Sequence, residues 1–153
     1  MFCKKISITA ILLISLSMFS QERVTKRIEN TVFMTPTNSL NLEHKYGDIN
    51  IYGWEKDSLS ITVEVEVNDK DEDQAIELLN RIEFGFKTIG EIMDVSTIIS
   101  DKNNNVFTKY FNKANPIDSH KGNVRINYTI YLPKNSRIEI NNKFGDIILN
   151  DFS

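Results

Sequence analysis

From Leu59 to Val67 the chain alternates without a break: Leu59, Ile61, Val63, Val65 and Val67 fall on one side, Ser60, Thr62, Glu64 and Glu66 on the other. A period of two suits an extended strand with one buried and one wet face, because successive strand side chains point to opposite faces. Val124, Ile126, Tyr128, Ile130 and Leu132 repeat the pattern against Arg125, Asn127, Thr129 and Tyr131, so the two runs are candidates to pair in one sheet. Between them Ile82, Phe84 and Phe86 alternate, Gly90 marks a turn, and Met93, Val95, Thr97 and Ile99 alternate again, which predicts a β-hairpin. Aromatic and β-branched residues abound and prolines number only three, so the expected class is mainly β.

One segment has the other period. Ala75, Leu78, Leu79 and Ile82 follow i, i+3, i+4, i+7 spacing and predict a single short helix from Glu72 to Arg81. Asp71 can cap its free amides, Gln74 can reach back, and Glu72 and Asp73 suit the positive helix end. The stretch Asp101 to Gly122, rich in Asn and Lys, reads as a long loop or a frayed hairpin tip.

The chain also resembles itself. Asn38-Ser39-Leu40-Asn41-Leu42-Glu43-His44-Lys45-Tyr46-Gly47-Asp48-Ile49-Asn50-Ile51 returns as Asn135-Ser136-Arg137-Ile138-Glu139-Ile140-Asn141-Asn142-Lys143-Phe144-Gly145-Asp146-Ile147-Ile148, read as two copies at one constant offset. Each is a short alternating strand, a Lys-aromatic-Gly-Asp corner and a second strand. Glycine permits positive φ at the corner, Asp can take up a local backbone amide, and the aromatic can fold inward over the bend, which makes Tyr46, Gly47, Asp48, Phe144, Gly145 and Asp146 structural corner residues. Strand and corner repeated in this way wind a β-solenoid, with Leu40, Leu42, Ile49, Ile51, Ile138, Ile140 and Ile147 inward. Two such units also fit paired hairpins in a β-sandwich.

The first residues specify a compartment. Lys4 and Lys5 precede an apolar run from Ile6 to Phe19, interrupted by serine and threonine and too short to span a bilayer, which fits a cleavable secretory signal over residues 1–20. Cys3, the only cysteine, lies ahead of that run, so no lipid attachment and no disulfide are expected, and signal cleavage leaves no stable membrane anchor. Cleavage also removes Lys4 and Lys5, leaving 16 basic residues of the 18 against 21 acidic ones, a net charge of −5. That balance gives no basic stripe for nucleic acid. Residues 21–37 then read as a linker or edge strand, and 38–153 as one β-rich domain.

In their order, the leader, Lys45-Tyr46-Gly47-Asp48-Ile49-Asn50-Ile51-Tyr52-Gly53-Trp54, the long strand into an acid-capped helix, Ile126 to Pro133, and Asn142-Lys143-Phe144-Gly145-Asp146 resemble a bacterial family named "putative adhesin". The resemblance covers about residues 38–153. It implies a β-solenoid domain of unknown function, similar to auto-transporter adhesin head domains, with no catalytic residues. Family members continue through further Gly-Asp rungs, whereas this sequence stops at Ser153, so the resemblance implies a truncated β-helix with an unpaired, aggregation-prone edge near Ile147 to Leu149.

Catalytic equipment is sparse. His44 and His120 are the only histidines; both are expected as exposed polar residues, His44 at a corner and His120 in the long loop. Asp69, Asp71 and Asp73 imitate the first half of a calcium loop, but Gln74 stands where glycine is needed and Asn80 where the bidentate Glu belongs, so a helix start accounts for them. Phe107, Tyr110 and Phe111, with Val106, put an apolar cluster in a polar loop and are candidates for contact with a surface glycan or protein partner. The sequence therefore predicts an exported, non-enzymatic envelope or surface module without metal or cofactor. A polysaccharide-binding or polysaccharide-degrading β-helix and a periplasmic partner in envelope sensing are the alternatives.

Overall fold

The computed structural model describes residues 22–100, 107–109 and 124–152, with the backbone alone given at 99, 100 and 107–109. The chain runs β1 (Glu22–Phe33), β2 (Ser39–Tyr46), β3 (Ile49–Trp54), β4 (Ser58–Asp69), α1 (Glu72–Asn80), β5 (Ile82–Ile89), β6 (Ile92–Ser100), β7 (Phe107–Lys109), β8 (Val124–Pro133), β9 (Arg137–Phe144) and β10 (Ile147–Asn150). Two mixed sheets form, in the orders β1-β4-β8-β3-β10 and β5-β6-β2-β9, with β7 against part of β6. The fold is mainly β, and neither sheet closes on itself.

Each sheet changes character at one strand. β1, β4 and β8 are antiparallel neighbours, as are β5 and β6, so the two alternating runs do pair and the predicted hairpin is β5–β6. Beyond β8 and β6 the remaining pairings of the two strand orders are parallel, β3 on β8, β10 on β3, β2 on β6 and β9 on β2, while the short β7 lies antiparallel on the end of β6. One apolar cluster takes Leu40, Leu42, Ile49, Ile51, Ile61, Val63, Met93, Val95, Ile126 and Ile130 from both sheets. Burying a side chain of this size contributes about 1.5–3 kcal/mol, and strict alternation is what lets every second residue contribute.

The helix closes the core at the antiparallel end, with Ala75, Leu78 and Leu79 buried and Ile76 exposed. Asp71 caps it, accepting from the backbone N–H of Asp73 at 3.0 Å and of Gln74 at 3.3 Å. The Gln74 side chain reaches the Asp71 carboxylate, not the Asp71 amide, which donates to Asp69 instead. Asp71 and Asp73 of the calcium-loop imitation thus belong to the helix start, while Asp69, the last residue of β4, accepts the N–H of Lys70 and of Asp71 in the turn before it.

The two matching segments are paired in parallel. The strands β2 and β3 lie on either side of the Gly47 corner, β9 and β10 on either side of Gly145, and the second unit pairs in parallel on the first along both arms. The register places Ser39 opposite Arg137 and Ile49 opposite Ile147, 98 positions apart (39 to 137, 49 to 147). The match of Asn38-Ser39 on Asn135-Ser136 is 97 apart, so the offset is constant only in the strands and corners. The inward set also needs correction at one end. Leu40, Leu42, Ile49 and Ile51 are fully buried, whereas Ile138 and Ile140 are half-buried and Ile147 is 40% exposed, because among the described residues no strand pairs on the far side of the second unit.

Candidate functional site

The six corner residues read from the repeat converge into one column at the bend between the sheets. Gly47 and Gly145 have φ of 125° and 131°, a region closed to other L-residues. The spacing is as restrictive as the angle. A Cβ on Gly47 would stand 2.1 Å from the carbonyl oxygen of Ile126, and one on Gly145 would stand 2.0 Å from that of Gly47. Each glycine therefore lets one level settle on the carbonyl of the level before it.

A hydrogen-bond pattern repeats up the column. The Asp48 N–H donates to Asn127 Oδ1 at 3.0 Å, and the Tyr128 N–H donates to the Asp48 carbonyl at 2.9 Å. One level on, the Asp146 N–H donates to Asp48 Oδ1 at 3.0 Å and the Ile49 N–H to the Asp146 carbonyl at 2.9 Å. Asn127, Asp48 and Asp146 thus act as successive steps of one ladder, in which a side-chain oxygen accepts the next level's amide. Because Asn127 plays the same part as Asp48, acceptor geometry and not charge should matter. Asp48→Asn is expected to stay within about 0.5 kcal/mol of the parent, and Asp48→Ala to lose about 1–2 kcal/mol, in urea titrations. Equal losses would count against the ladder.

The aromatics stack as well. Tyr46 and Phe144 lie 5.4 Å apart and nearly parallel, with Lys45 Nζ over the first ring and Lys143 Nζ over the second. Tyr46 is folded inward and buried, while Phe144, in the last level, is 48% exposed.

Three residues before each corner glycine stands a polar side chain that the sequence does not mark as important. Asn142 Nδ2 donates to the Gly47 carbonyl at 3.0 Å. Its counterpart His44 is completely buried, which corrects the expectation of an exposed corner histidine. The inward alternation of β2 (Leu40, Leu42, His44, Tyr46) is the signal that could have placed it. The imidazole meets the Tyr128 ring edge-on at 5.0 Å, and Tyr128 in turn shares a 3.0 Å hydrogen bond between its hydroxyl and that of Thr97. Burial lowers the His44 pKa to about 4; the carbonyls of Ile126, Tyr46 and Gly47 and the charge of Asp48 oppose the shift only in part. Neither ring nitrogen makes a hydrogen bond of good geometry. Burial likewise holds the Tyr128 phenol well above its ordinary value.

The column ends in an apolar patch. Phe144, Ile147, Ile148 and Leu149 are each 40–49% exposed, and among the described residues they are the densest run of exposed large apolar side chains. The sheet edges beside them, β9 and β10, are each paired on one side.

Other surfaces carry local contacts. Tyr52 and Trp54 lie against Tyr131 with ring centroids 4.9 and 5.4 Å away, and the Trp54 indole N–H donates to the Ser58 carbonyl. These contacts brace β3 on β8, with Lys56 Nζ 4.8 Å from the Trp54 ring centroid and Tyr131 still 38% exposed. A groove of about 320 Å³ on the outer face of β1 and β4 is bridged by the ion pairs Arg23–Glu66 and Arg27–Glu64, exposed contacts worth little energetically. Of the apolar loop cluster, Phe107 lies in β7 opposite Ser100, with only its backbone described; Val106, Tyr110 and Phe111, and likewise His120, lie outside the described residues. The expected secretory signal, residues 1–20, also lies outside them. Among the described residues, no group of three His, Cys, Asp or Glu side chains is placed to share a metal ion, and no helix is long and apolar enough to cross a membrane.

No protein-family model matches the chain, and no curated protein matches it significantly. Among solved structures, the chain is similar to a putative cell adhesion protein from Clostridium sporogenes (16% identity, TM-score 0.39, covering 81% of this chain and 51% of that one). A putative adhesin from Bacteroides fragilis gives 15% identity, a TM-score of 0.36 and coverage of 80% and 42%. A putative lipid binding protein from Parabacteroides distasonis gives 9%, 0.40, 81% and 41%. The chain spans between two fifths and one half of the length of these structures.

Proposed function

We propose that the chain is a non-catalytic module, exported to the cell envelope or surface, that presents a stiff stack of β levels to a glycan or protein partner. The observation that supports this most is the parallel stacking of the two Gly-Asp units along both arms, with the Asn127–Asp48–Asp146 ladder at the bend. In this reading the parallel half is the beginning of a β-solenoid and the antiparallel half with its helix caps it. Such a stack holds its outer face and edges in fixed geometry, which lowers the ordering cost of binding. The leader from Lys4 to Phe19 supports export.

Two measurements test the reading. In cells producing the full chain with a C-terminal tag, the product outside the cytoplasm should be shorter by about 20 residues; a full-length cytoplasmic product would remove the export half. The purified, labelled chain should bind intact cells, with loss after periodate pointing to a glycan and loss after protease to a protein. Absence of binding to any surface, or turnover of a polysaccharide by the purified chain, would defeat the binding half.

A further inference from the structure

We propose, resting on the surface-binding reading above, that the outer face of the β1-β4-β8-β3-β10 sheet binds a neutral glycan, an uncharged chain of pyranose sugars, between Phe33 and the Tyr52–Tyr131 stack. The pairings carry one row of side chains across that face: Thr31 opposite Ser60, Ser60 opposite Tyr131, and Tyr131 opposite Tyr52. Phe33, two residues after Thr31, lies on the same face opposite Ser58. At 75% it is the most exposed large apolar side chain among the described residues.

The strand order sets the width of this face. Phe33 on β1 and Tyr131 on β8 stand on opposite sides of β4. At ~4.8 Å per strand the two walls are about 10 Å apart, width for one sugar ring between them. Between the walls β4 contributes the small side chains of Ser58 and Ser60. Both aromatic neighbours of Tyr131, Tyr52 and Trp54, belong to β3, so on the β4 side Tyr131 meets serine and not another ring. The 2.7 Å bond from the indole N–H to the Ser58 carbonyl fixes Trp54 at that end.

A pyranose ring has C–H groups on its flat faces and hydroxyls around its rim, and this surface offers a partner for each. Aromatic rings take the C–H faces, and serine and threonine hydroxyls, each able to donate once and accept twice, take the rim. Ser60 accepts the Thr31 hydroxyl at 3.2 Å and so keeps its own proton to donate. Thr62 and Thr129, opposite one another, continue the hydroxyls along the strands. Charge separates this half of the face from the other. Arg23 and Arg27 lie toward the far end and are paired with Glu66 and Glu64, and at the near rim Lys134 is paired with Glu55 at 2.8 Å. A polyanion would meet these cations only through their carboxylate partners. Rings alternating with hydroxyls also differ from the contiguous apolar patch that a lipid or a protein interface core needs.

The test is native electrophoresis of the purified full chain through gels containing laminarin, xylan, galactomannan or dextran, with alginate and polygalacturonate as anionic counterparts. Emission of Trp54, the only tryptophan, is the second readout. At least one neutral polysaccharide is expected to retard the chain and shift that emission, and neither anionic one to do so. Phe33→Ala and Tyr131→Ala are each expected to weaken binding about tenfold or more. Phe33→Ala changes a side chain that is 75% exposed, so its thermal midpoint should match the parent's and lost binding cannot be lost folding. Retardation by none of the neutral polysaccharides, retardation by the anionic ones, or undiminished binding by Phe33→Ala would each overturn the proposal. Binding to intact cells separates the two readings. Cell binding that Phe33→Ala retains, or that protease abolishes and periodate does not, overturns the glycan face and leaves surface binding standing; a parent that binds neither cells nor polysaccharide defeats both.

Discussion

Gly47→Ala is expected to cost about 3–5 kcal/mol of global stability, read as a shift of the urea or thermal midpoint, because two penalties fall on one atom. The new methyl meets a φ of 125° and a carbonyl oxygen at 2.1 Å, with the carbonyl carbon at 2.6 Å. Both contacts are with the backbone of β8, a central strand paired on either side, so neither yields without separating β3 from β8. Gly145→Ala has the same local geometry, with a Cβ 2.0 Å from the Gly47 carbonyl oxygen. Its consequence should differ in kind. β10 is a four-residue edge strand that can peel away, so the expected result is a small change in the global midpoint with fast amide exchange confined to Ile147–Asn150. Similar global losses in the two variants would show that the last level is integral to the cooperative unit.

Acidification between pH 6.5 and about 4 is expected to destabilise the protein through His44. Its pKa in the folded state, about 4, lies below the 6.5 of an unperturbed imidazole, so the unfolded chain binds the extra proton in this window. The stability contribution is fully present above pH 6.5 and is lost as pH falls toward about 4. The whole span corresponds to about 3 kcal/mol, and about 2 kcal/mol of it should be visible between pH 7 and pH 5, before most carboxylates titrate. The matching variant is His44→Asn, which gives the first unit the residue of the second. An Asn there can donate to the Ile126 carbonyl as Asn142 does to that of Gly47, so the variant is expected to fold while losing this pH slope. A parent and variant with the same slope would show that another group carries the acid response.

Both predictions depend on residues whose surroundings come from distant parts of the chain, and this marks the limit of what could be read beforehand. The period of two in Leu59–Val67 and Val124–Leu132, the hairpin about Gly90 and the Asp71-capped helix are local signals, and each appears where it was expected. Gly47 and Gly145 have positive φ, a conformation that depends on one residue's side chain and its immediate neighbours. His44 was misjudged because its neighbours, Ile126 and Tyr128, lie more than 80 residues away. Asn127 went unmarked because it belongs to a straight strand with no glycine corner, although it begins the ladder that Asp48 and Asp146 continue.

By itself, then, the sequence determined that this chain makes alternating strands, one capped helix and two equivalent bends, since these follow from side-chain spacing and glycine's freedom at single positions. Only the tertiary structure decided that β3 sits between β8 and β10 and β2 between β6 and β9, and hence that the first unit is buried while the second ends in an exposed apolar edge. The reason is that strand pairing is a non-local choice. Any alternating strand can offer its amides to any other, and the choice here follows where the backbone of one corner can rest on the carbonyl of the last.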